Sequence, residues 1–168
     1  MANRYDALTK KALELGAVEA KLTDTEQIGF DPRSYLKCQF GCELRGRFWT
    51  CPPNLDLFPE MITEALERSP KALLIKTADP RLGREMALLL EKEAVQSHGC
   101  SHALALVLCV QCEECAHPDP CRCSPASRSP LDAVGVDMVK KLRSLGLHVD
   151  LDKEGKLLPA WYGMVLLG

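Results

Sequence analysis

The sequence predicts an α/β fold: a single domain over residues 1–168, a mixed sheet flanked by helices, and two cysteine-bearing loops that hold a metal centre. Short apolar runs of strand length alternate with longer stretches of helical period, the pattern of a sheet layered against helices. At 168 residues the chain can bury a core without staples. Seven of its nine cysteines form two tight groups in the loop-like stretches between these elements.

Taken in order, Tyr5, Leu8, Ala12 and Leu15 recur at helical spacing and Gly16 stops them, predicting a helix from Tyr5 to Gly16. A broken strand pattern (Val18, Ala20, Leu22) follows over Ala17 to Ile28. Asp31 to Pro59 reads as loop, because Pro32, Gly41, Gly46, Pro52, Pro53 and Pro59 punctuate it. Met61 to Arg68 is a short helix, and Lys71 to Lys76 an apolar buried strand. Arg81 to Ser97 places Leu82, Met86, Leu89, Leu90 and Ala94 on one helix face, with Gly99 beyond its end. His102 to Leu108 is a second buried strand that runs straight into Cys109. Ser129-Pro130-Leu131-Asp132 has the residues that open a helix, expected to run to Leu145 before Gly146 and to enclose Gly135 as a packing contact. Leu147 to Leu151 and Tyr162 to Leu167 complete the strands.

Charge and hydropathy exclude several functions. A net charge of −2 and a pI near 6.1 leave no basic surface for nucleic acid. No apolar run approaches about 18 residues and no leader is evident, so no membrane role and a cytoplasmic location are expected. In that reducing compartment, clumped and odd-numbered cysteines point to metal ligation rather than disulfides. No Ser-His-Asp grouping, phosphate loop or nucleotide-binding glycine pattern occurs.

The second cysteine group, Cys109-x2-Cys112-x2-Cys115-x5-Cys121, is followed by Cys123. Two CxxC steps sharing a central cysteine present three thiolates within a short stretch of backbone, as ferredoxin runs do for a cubane. Zinc ribbons separate their two knuckles by more residues, which leaves a zinc-stapled loop as the alternative. The first group, Cys38-x3-Cys42-x8-Cys51-Pro52-Pro53, ends in proline after a cysteine, as ferredoxin runs also do. It offers three thiolates and no fourth nearby. Lys37, Arg45, Arg47, Arg122 and Arg128 flank the two groups, and Phe40, Phe48 and Trp49 are candidates to shield a cluster. Cys100, between His98 and His102, reads as a lone thiol, and His117 and His148 carry no pattern.

These motifs, in this order, resemble those of a family of predicted metal-binding proteins, domain of unknown function 2284. Its early Cys-Pro-Pro group matches Cys38, Cys42 and Cys51-Pro52-Pro53, and its Cys-x2-Cys-x2-Cys plus one matches Cys109, Cys112, Cys115 and Cys121. Its turn into a Glu-Ala-x-Gly-Ile-Asp helix is similar to Arg128–Asp137. Two positions depart from the family pattern. Cys121-Arg122-Cys123-Ser124 stands where the family has Cys-Arg-His-Pro, and Ser129-Pro130 inverts its Pro-Ser. Cys121 and Cys123 therefore both stand as candidate ligands. The resemblance implies metal binding, of iron–sulfur kind, in anaerobe-type metabolism, and names no reaction.

Cofactor and function follow as expectations. One or two 4Fe–4S clusters, or alternatively zinc, are held by Cys38, Cys42, Cys51, Cys109, Cys112, Cys115 and Cys121, with Cys123 as a further candidate. The protein acts as a redox module for a partner protein. The alternatives are an enzyme or metal-delivery factor whose open iron at Cys38/Cys42/Cys51 takes a small molecule, and a zinc-stabilised interaction domain.

Overall fold

The structure, a computed structural model, describes residues 3–28, 31–55, 59–136, 142, 145–146 and 160–168. Its elements are α1 (Asp6–Glu14), β1 (Glu19–Asp24), α2 (Pro32–Gly41), α3 (Pro59–Arg68), β2 (Lys71–Thr77), α4 (Pro80–Ser97), β3 (Ala103–Leu106) and β4 (Trp161–Leu167). The strands form one sheet in the order β1-β2-β4-β3, and each of these ladders is antiparallel.

The period of two along β2 divides the core. Leu73 and Ile75 face a cluster built with Tyr5, with Leu8 and Ala12 of α1, and with Met86, Leu90 and Ala94 of α4. Ala72 and Leu74 face the opposite cluster, with Leu66 of α3, Leu131, Val134, Val136, Leu142 and Leu145. All four of these β2 residues are essentially inaccessible to water. The sheet is thus sandwiched, which is why β2 and β4 read as continuous apolar runs rather than as alternation.

The α/β class, and every sheet strand and helix expected within the described residues up to β3, are observed within a few residues. Two segments differ. Asp31–Gly41, expected as loop, forms α2: the Asp31 side chain accepts from the Arg33 amide at 2.9 Å and Pro32 occupies the first turn. The helix expected from Ser129 instead begins as a short 3-10 turn, Asp132–Val134, with no side-chain cap. Gly135 ends that turn in the left-handed conformation, φ 80°, so it is a stop rather than a contact inside a helix. Its carbonyl accepts from the Asp31 amide at 2.8 Å, tying the turn to the start of α2. Beyond Val136 only Leu142, Leu145 and Gly146 of that expected helix are among the described residues, and the strand expected at Leu147–Leu151 lies outside them. No helix among the described residues is long and apolar enough to cross a membrane.

Candidate metal centre

Two stretches of chain meet to make the site. The first is α2 with the turn after it. Cys38 and Cys42 lie one helical turn apart, Cys38 buried and Cys42 exposed at the helix end. Cys51 is buried in a loop that bonds to itself: the Gly46 amide donates to Pro52, the Cys51 amide to Phe48, and the Asn54 side chain to Phe48. Gly46 reaches this closure with φ 73°, a conformation that glycine adopts without strain. The Pro52–Pro53 bond of this loop is cis.

The second stretch leaves β3 at Leu106 and carries Cys109, Cys112, Cys115, Cys121 and Cys123, all half-buried. Its far end is fastened to α4. Arg84 donates to the Ala126 carbonyl at 2.9 Å, and Arg128 donates to Ser127 at 2.8 Å while pairing through two nitrogens with Glu91. Glu91 also accepts the Ala105 amide, and the Val107 amide donates to Ser129.

Trp49 joins the stretches. Its indole donates to the Asp119 carbonyl at 2.8 Å, and its ring meets His117 edge-on at 4.8 Å between centroids. Phe48, Trp49 and Thr50 then form one wall of a recess that all five second-group cysteines line. Phe40, expected as a further shield, is 81% exposed and takes no part. Of the flanking arginines, Arg122 lines the recess and bonds the Glu114 carbonyl, whereas Arg128 is committed to Glu91. Cys100 sits in the α1–α4 core, with its sulfur at 3.0 Å from the His102 carbonyl. It is a buried structural thiol, as expected of a lone cysteine.

The electrostatics are those of thiols that keep their protons. Burial, then Cys42 and Asp132 nearby, push Cys38 up to about 11. Burial, then Cys38 and Cys42, with Cys109 contributing less, push Cys51 up to about 11 against a hydrogen bond with Thr50. Cys123 is raised mainly by its hydrogen bond with Cys112, the two sulfurs lying 3.8 Å apart. A nucleophilic cysteine needs the opposite, a thiolate favoured by a cation or a helix N-terminus, so none of these three is poised for covalent catalysis.

Eight free thiols on two stretches that share a wall are a donor set for a soft, thiolate-bound metal. Among the described residues no three His, Cys, Asp or Glu side chains converge as closely as a single ion requires. The five thiols of the second stretch instead line a small recess with an apolar wall.

Sequence reasoning grouped the cysteines but missed Thr50, which lines the recess beside Cys51, and Arg84 and Glu91, which fasten the second stretch. Thr50 was within reach, since it stands beside Cys51. Arg84 and Glu91 carry no local signal, because their partners lie 42 and 37 residues away in the chain. No curated protein and no solved structure matches the chain. A match over residues 21–167, which takes in all nine cysteines and the whole β2–β4–β3 portion of the sheet, shows that the chain belongs to the family of predicted metal-binding proteins, domain of unknown function 2284.

Proposed function

We propose that this protein is an iron–sulfur protein that passes electrons to a partner protein, its 4Fe–4S clusters held by thiolates of the two cysteine stretches. The observation that carries the reading is the recess at which Phe48, Trp49 and Thr50 of the first stretch close over the five cysteines of the second. An apolar wall beside half-buried thiols keeps bulk water from a cluster while leaving it near enough to the surface for electron exchange. When bound, such a cluster takes up and releases single electrons. This chain's residues fix the thiolates, shape the recess and set its polarity. The exposed apolar side chains Tyr35, Leu36 and Phe40 of α2, just before Cys42, suit contact with a partner. A reducing compartment such as the cytoplasm would suit this reading, because it keeps the thiols available as ligands.

The test is anaerobic purification with iron, sulfide and zinc analysis. Brown protein with about four or eight irons per chain and matching sulfide is expected. Colourless protein with stoichiometric zinc would overturn the iron assignment. A second reading, an open iron at the first group, draws on the exposure of Cys42. In that case added thiols or small acids would change the visible spectrum, and in a closed carrier they would not.

A further inference from the structure

All five cysteines of the second stretch line the inner recess, but Cys112 and Cys123 also line a second, outer cavity. Glu113, Glu114 and Arg122 complete that cavity, whose volume of about 480 Å³ lies in the range of sites that take small organic molecules. The Cys112 and Cys123 sulfurs lie 3.8 Å apart although the residues are 11 positions apart in the chain, and both side chains are half-buried. Among the described residues no three His, Cys, Asp or Glu side chains converge as a single ion requires, so this pair meets without a third donor. The arrangement is that of a dithiol within reach of a small reagent.

We propose that Cys112 and Cys123 are a redox pair. In the metal-free protein they close to a disulfide by exchange with a small-molecule disulfide of the oxidised-glutathione type, and the closed pair bars metal from the second stretch. The bar on metal rests on the thiolate-held centre proposed above; the disulfide itself does not.

A disulfide bond is about 2.05 Å long, so the sulfurs need to approach by about 1.8 Å, a distance that rotation of the two side chains can supply. Sequence offers Cys112 its CxxC neighbours Cys109 and Cys115 as partners, whereas the fold brings Cys123 to it. The exchange runs in two steps. One thiol of the pair, as thiolate, attacks the small disulfide, whose S–S bond breaks; the departing thiolate takes up the proton that the protein gave up. The second protein thiol then attacks the protein sulfur of this mixed disulfide and expels the other half of the reagent as a thiol. In sum the protein loses two hydrogens and two small thiols leave. Excess small thiol reverses both steps, so the second stretch opens for metal only while the thiol pool is reduced.

The test treats parent protein, emptied by a chelator and freed of reductant, with oxidised glutathione. Remaining thiols are alkylated by iodoacetamide and peptides are mapped by mass spectrometry. The first cross-link to form should join Cys112 to Cys123, with no glutathione left on either. A first cross-link from Cys112 to Cys109 or Cys115, or a glutathione adduct that persists on Cys112, would overturn the pairing. In Cys123→Ser the second thiol is gone, so glutathione should stay on Cys112; a cross-link from Cys112 formed as fast as in the parent would also count against the pair. Loaded parent protein should resist the reagent at both residues until chelator is added. Closed protein should lose metal uptake and regain it after dithiothreitol. Equal uptake by closed and open protein, or cross-linking of loaded protein, would overturn the bar on metal. Protein found to hold zinc ends the iron–sulfur reading while the same mapping still reads the pair, and a cross-link elsewhere ends the pair while leaving that reading standing.

Discussion

Cys38 and Cys51 have their thiol pKa values raised from 9.0 to about 11, chiefly by burial and then by neighbouring thiols, Cys42 for the first and Cys38 and Cys42 for the second. In the metal-free protein the folded state therefore keeps two protons that the unfolded chain sheds above pH 9. Their contribution to stability is complete below pH 9 and is lost as pH rises through about 11. Denaturation of chelated protein should show stability falling across that window, and Cys38→Ser/Cys51→Ser should flatten the fall. The Tyr5 phenol, also raised by burial and by Cys100, would leave a residual slope above pH 10. A double variant with the parent's full pH dependence would disprove the link. A second residue-scale test lies at Gly83. A Cβ there would stand 2.6 Å from the Thr77 hydroxyl, which is buried and donates to the Asp79 carbonyl. Gly83→Ala should cost about 1–3 kcal/mol of unfolding free energy by overpacking. Adding Thr77→Ala should cost less than the sum of the two single changes, because the clash is removed with the hydroxyl. Strict additivity in urea melts would show that the contact is not the cause.

At the scale of elements, sequence legibility depended on which face each segment buries. β2, β4 and α4 were plain because their buried residues are apolar and fall at periods of two or 3.6. α2 was hidden because its buried positions are Ser34 and Cys38, while Leu36 and Phe40 face water. Its apolar residues therefore trace no core-facing stripe. The legible signal was Asp31-Pro32, the same cap that opens α4 at Asp79-Pro80. Ser129-Pro130 misled for the reverse reason. The caps of α2 and α4 precede ten or more residues free to continue as helix, whereas Gly135 intervenes six residues after Ser129 and adopts φ 80°. Within the site, spacing alone grouped the cysteines. The contact between Trp49 and the Asp119 carbonyl, 70 residues apart, left no trace in the sequence.

For the whole molecule, the cysteine stretches and the sheet are a single construction. β3 delivers the chain to Cys109, and the returning segment Ser124–Ser129 is fastened along β3 and α4 by Arg84, Glu91 and Arg128. That fastening also covers part of a sheet edge. Among the described residues β3 is an edge strand of the sheet, as is β1, and such a strand offers unpaired amides on which another chain can build. Here the Ala105 amide is occupied by the Glu91 carboxylate and the Val107 amide by Ser129, both held in place by the arginine anchor. Glu91→Ala would bare the first of these amides and release Arg128 from its partner. The expected outcome is self-association through added strands, seen as concentration-dependent sedimentation and thioflavin binding that the parent protein lacks. Sedimentation identical to the parent's would mean that the edge is guarded by other means. Where the guard operates, loss of the metal becomes a hazard as well as a loss of function. A second cysteine stretch loosened by chelation would hold the shielding segment less firmly, so the emptied protein is expected to be the form most prone to aggregate.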